Sequence, residues 1–190
     1  MPMQFSNFPY LVQKEIFNHL SLNSIFFLSL CSKKMKDSII RVQKIRFKTL
    51  ERITYNLHFR EIVIHNSVEA LPDCVLRFFG KPLTETDEIV KVNIEGKLIR
   101  FCRSPEANLS QLYGLLECGE EESIYEAIHN NLHDLFGSYA ALWMQTSYSS
   151  RRFPILKCIS GIEIVSMGEN LEPERIDDCL SASPSLQCFE

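Results

Sequence analysis

The chain has 190 residues, 45% of them hydrophobic, with 13 Phe against 7 Gly and a net charge of −4. That composition supports a packed core in one or two domains and excludes a disordered or linker-rich chain. The 7 cysteines are an odd number without zinc-knuckle spacing or a disulfide framework, and the N-terminus reads without a basic-then-apolar leader, so a reducing cytoplasmic or nuclear setting is expected. The apolar block at 25–31 falls far short of the roughly 20 residues of a membrane span.

Residues 8–42 read as three short helices. Pro9 suits a first helical turn, where its missing N–H leaves nothing unpaired. Leu11, Val12, Ile16, Phe17 and Leu20 then recur at helical spacing, with Gln13, Lys14, Asn18 and His19 expected on the solvated side. Ser21 and Asn23 supply caps for a second helix through Ile25, Phe26, Phe27, Leu28, Leu30 and Cys31. That helix is apolar nearly all round, so something beyond the unit has to cover it. A third helix from Ser32 places Met35, Ile39 and Val42 on one side and Lys33, Lys34, Lys36 and Arg41 on the others.

Phe8-Pro9, then Ile16 and Leu20, an apolar block near 25–30 and Cys31-Ser32-Lys33-Lys34 resemble the F-box, the helical module that docks on the Skp-family adaptor of cullin ubiquitin ligases. The wording PYLVQKEIF and FFLSLCSKK is similar to the nematode-type group whose members carry an F-box-associated domain of type 2. Met35 stands where many F-boxes have tryptophan; methionine fills such a gap but specifies its geometry less well. The resemblance implies an F-box over 1–45 with Phe8, Pro9, Leu11, Ile16, Leu20, Ile25, Leu28 and Cys31 as adaptor-binding residues, and an associated target-binding region over 46–190. In so small a unit, Phe8, Phe17, Phe26 and Phe27 are expected at an interface more than in a core.

Lys33, Lys34, Lys36, Arg41, Lys44, Arg46, Lys48 and Arg52 form a basic run, answered by acidic patches around 117–134 and 169–178. Without interleaved aromatics the run reads as a solvated face, and no nucleic-acid partner is expected.

Downstream, Ile62, Val63 and Ile64 read as a buried strand, and residues 73–79 are too short a run to assign. Val90, Val92 and Ile94 alternate with polar residues, Glu95-Gly96 reverses the chain, and Leu98 to Phe101 returns: a hairpin over 89–101. The spacing of Leu109, Leu112, Tyr113 and Leu116, then of Ile124, Ile128, Leu132 and Leu135, predicts helices over 108–136, the last ending at Gly137. Over 160–190 the pattern predicts a strand at 162–165, a helix at 173–180 and a strand at 186–189, a leucine-rich-repeat-like unit of the kind that builds target surfaces in F-box proteins. Its end without a polar cap leads us to expect a shortened target-binding half.

No catalytic constellation emerges. His129 and His133 share a helix face, but Asn130 stands where a zincin has its glutamate, so a solvated face is the expected reading and no metal or cofactor is assigned. Cys31, Cys74 and Cys158 lie in apolar surroundings expected to keep their thiols inert, and the Glu120–Glu122 run is expected on a solvated turn. The fold class expected is α+β: three N-terminal helices followed by a mixed α/β region. The function expected is a non-catalytic receptor that holds an unknown protein target near ubiquitin through the Skp-family adaptor and a cullin. The alternatives are an adaptor-binding scaffold or decoy and, behind it, an unrecognised enzyme.

Overall fold

The structure is a computed structural model that describes residues 5–57, 59–67, 73–80, 88–103, 112–116, 119–137, 141–147, 156, 160–165 and 187–188. A single 3-10 turn at Phe5–Asn7 leads into α1 (Tyr10–Asn18), α2 (Leu22–Cys31) and α3 (Lys33–Phe47). Serines set the joints: Ser21 accepts from Ser24 N to start α2, and Ser32 accepts from Met35 N to start α3. Each satisfies a backbone donor that a helix start leaves open.

The chain then builds strands β1 (Leu50–Asn56), β2 (Glu61–Asn66), β3 (Asp73–Phe79), β4 (Glu88–Ile94), β5 (Lys97–Arg103) and β6 (Leu112–Leu115). Helix α4 (Glu121–Phe136) and strands β7 (Ala141–Ser147), β8 (Gly161–Val165) and β9 (Gln187–Cys188) follow. Among the described residues the strands form one mixed nine-stranded sheet in the order β4-β5-β6-β3-β2-β1-β7-β8-β9. The hairpins β1-β2 and β4-β5 are antiparallel, whereas β3-β6, β1-β7, β7-β8 and β8-β9 are parallel. The α+β expectation therefore holds, with the three N-terminal helices leading into a mixed sheet.

Helices α2 and α4 lie on the sheet and share its core. Phe27 meets Phe101 of β5 edge-on, Phe78 of β3 meets Tyr125 of α4, and Phe47 at the end of α3 meets Phe136. The cover that α2 requires thus comes from the chain itself. Leu22 N donates to the Asp73 carboxylate at 3.1 Å, and the Asn23 amide donates to the Val75 carbonyl, tying the first turn of α2 to β3.

The hairpin turns as read: Glu95 and Gly96 both take positive φ, 49° and 81°, as a two-residue reversal of matching twist demands. Asn93 supports it by accepting from Gly96 N. The helix read through 109–116 is corrected, since Leu112–Leu115 is β6. A spacing of four between Leu112 and Leu116 satisfies a strand's period of two as readily as a helical turn. Gly114 selects the strand, because a Cβ there would overlap the Phe78 ring of its parallel neighbour β3. The run at 73–79 is β3, and β1 and β7 join the elements read from sequence. Strands β8 and β9 are parallel neighbours, and the helix read at 173–180 lies outside the described residues.

Candidate functional site

Helix α1 is held by its polar side chains. Gln13 is buried; its amide donates to Phe8 O at 2.7 Å and its carbonyl accepts from Ser38 Oγ at 3.0 Å, so one side chain joins the N-terminal turn to α3. At the other end Gln43 donates to Asn18 Oδ1, and the Arg46 guanidinium donates to Leu20 O at 2.8 Å and Phe17 O at 3.3 Å. A cation on the last carbonyls of a helix also meets the negative end of its dipole. Phe17 is fully buried beside Phe5, with ring centroids 5.0 Å apart.

These anchors turn the remaining apolar residues outward. Leu11 is 74% exposed and Ile16 38%, with Tyr10 and Val12 between those values. The single apolar face read for this helix is therefore corrected: Gln13 and Phe17 point in, while Leu11, Val12 and Ile16 point out. A buried amide with both ends hydrogen-bonded carries little desolvation penalty, which is why the polar residue takes the inner position.

Of the residues assigned to docking, Pro9, Leu11 and Ile16 lie exposed on or beside α1, and Phe8 and Leu20 are half-buried at its ends. Leu28 is half-buried against the core, and Cys31 is exposed at the far end of α2. Ile25 is fully buried, together with Phe17 and Phe26, so these three are core rather than surface. The docking set expected from sequence omits Tyr10 and Val12, although three consecutive apolar residues at 10–12 cannot all face inward on a helix. Beside α1 a groove of about 540 Å³ opens between the N-terminal turn and α3, lined by Phe5, Gln13, Met35, Ser38 and Arg41.

These three helices carry the signature that decides the module. Residues 5–47 are an F-box domain. The match runs from the N-terminal turn through the last residue of α3, and of the exposed large hydrophobics described within it, Tyr10, Leu11, Val12 and Ile16 lie on α1 and Ile45 on α3. No curated protein and no solved structure matches the chain.

The other candidate groups take structural roles. His129 is buried, its Nδ1 2.9 Å from the Tyr55 hydroxyl, so the solvated-face reading is corrected for this residue. Burial pushes the Tyr55 phenol far up, keeping it protonated. Burial likewise raises the Cys74 thiol, aided by the Glu61 carboxylate, in keeping with an inert cysteine. Cys31 is exposed, against expectation, and Cys158 lies outside the described residues. Glu120 precedes α4, and Glu121 and Glu122 occupy its first turn, where they favour the helix dipole; Glu121 pairs with Arg60 at 3.7 Å. Among the described residues no group of three His, Cys, Asp or Glu is placed to hold a metal, and no helix is long and apolar enough to cross a membrane.

Proposed function

We propose that the chain is the target-recognition subunit of a Skp-cullin-F-box ubiquitin ligase, docking on the Skp-family adaptor through α1 and presenting a protein target on its sheet. The observation that carries this reading is the F-box at 5–47, whose α1 shows Tyr10, Leu11, Val12 and Ile16 to solvent although its inner face already fills a core. An exposed apolar row on a fixed helix suits burial by a partner. Pro9, Leu11 and Ile16 form the centre of the docking set, Phe8 and Leu20 its margins, and Ile25 supports it from within. The chain works by proximity: it raises the effective concentration of a target near activated ubiquitin, and acid, base and nucleophile belong to the rest of the ligase. We assign the sheet to an F-box-associated domain similar to the type-2 group, and the protein to cytoplasm or nucleus, where the ligase operates.

The test is capture of a purified Skp-family adaptor by the full chain and by a Leu11→Asp, Ile16→Asp double variant. Both sites are exposed, so circular dichroism of the variant matches wild type. Wild type retains the adaptor and the variant loses it. A folded wild-type chain that leaves the adaptor in solution overturns the reading.

A further inference from the structure

Strand β4 ends the sheet, and among the described residues no strand lies on its outer side. It is paired with β5 along its whole length, from Ile94↔Lys97 at the turn to Glu88↔Arg103. In a hairpin closed by a two-residue turn, the pair flanking the turn exchanges both hydrogen bonds, and bonding then alternates along the ladder. Ile94, Val92, Val90 and Glu88 therefore spend their backbone groups on β5. Ile89, Lys91 and Asn93 turn theirs outward, an ordered row of donors and acceptors at strand spacing.

The side chains around that row give it a chemical character. On the sheet face away from α4, Ile89 is 45% exposed and Leu98 63%, and Lys91 stands between them, directly across from Arg100. A strand added there lies against Ile89, Lys91 and Asn93, so the row receives one whose residue beside Lys91 is acidic and whose residue beside Ile89 is apolar. A second copy of β4 does not provide this. Within Glu88–Ile94, antiparallel self-pairing through the outward groups sets Lys91 against Lys91, Ile89 or Asn93 and never against Glu88, so β4 itself supplies no acidic partner for the lysine.

We propose that the outer edge of β4 binds an extended acidic segment of a partner protein, which joins the sheet as an added strand. This deepens the target-binding role assigned to the sheet and rests on that reading only for its biological purpose. Binding itself requires no adaptor, so a failure here is distinguishable from a failure of docking at α1.

The experiment uses the full chain and two fluorescein-labelled, end-blocked probes, Thr-Ile-Thr-Glu-Thr-Ile-Thr and the same peptide with Lys at its centre, read by fluorescence anisotropy. Wild type binds the Glu peptide at least about tenfold more tightly than the Lys peptide, as a charge-assisted contact gives. Ile89→Pro removes one outward N–H while leaving the β5 ladder whole, and weakens the Glu peptide by about tenfold or more. Lys91→Glu, a surface change that leaves the fold intact, inverts the preference between the peptides and decides the matter even if the proline variant unfolds. Equal binding of both peptides, or an absence of binding up to about 1 mM, overturns the proposal. So does wild-type self-association in sedimentation that Ile89→Pro abolishes, since the edge then belongs to a second copy.

Discussion

Helices α1 and α2 are neighbours in one F-box, both rich in apolar residues, and they end in opposite environments. On α2, Leu22, Ile25 and Phe26 are buried between the other helices and the sheet; on α1, Leu11 is the most exposed residue of an outward apolar row. Apolar content alone predicts the reverse, because α2 is the helix that looks as though it needs a partner. The partner it needs is β3, some fifty residues downstream in sequence, reached through Leu22 N and Asn23. An apolar helix is a docking element only where the chain itself has nothing left to lay over it.

That contrast can be broken by substitution. The largest effect is expected from Phe26→Ala, which empties a fully buried site and lowers unfolding free energy by about 3–5 kcal/mol in urea titration. Asn23→Ala leaves the Val75 carbonyl without its amide donor in a buried position, for a loss of about 1–3 kcal/mol by the same titration. Ser32→Ala removes the N-cap of α3 and lowers stability by about 1 kcal/mol, which Ser32→Asp restores. Leu11→Ser, on the outward row, shifts stability by no more than about 0.5 kcal/mol, and the same protein loses most of its adaptor capture. If Leu11→Ser proves as destabilising as Phe26→Ala, the distinction between the two helices fails.

The helices and the β4-β5 hairpin were legible because their signals are local. Ser21 and Ser32 mark helix starts, and Glu95-Gly96 marks a reversal, each within a few residues of what it controls. Strand β1 was hidden because Thr54 and Asn56 are buried beside Ile53 and Tyr55, which breaks the alternation that announces a strand. Its parallel partner β7 is nearly ninety residues away, and no local pattern encodes such a pairing. For β6 the clue was present in Gly114, since glycine inside a run of large residues signals close approach of a neighbour. In the docking set, Leu11 and Ile16 could be named from sequence, but which side of α1 faces out is decided by Gln13, Asn18 and Arg46. The contacts that decide it reach across to α3, from Gln13 to Ser38, from Asn18 to Gln43 and from Phe17 O to Arg46.

The shared core of α2, β3 and α4 has a consequence for reach. A receptor whose adaptor module hangs on a loose tether sweeps its cargo through a wide volume and exposes many lysines in turn. Here Phe27 on Phe101, Phe47 on Phe136 and the Asn23 bond to β3 leave no swivel between the F-box and the sheet. On the proposed reading, a target held at the sheet keeps one bearing toward the ligase, so the position of its lysines, rather than their number, decides which receive ubiquitin.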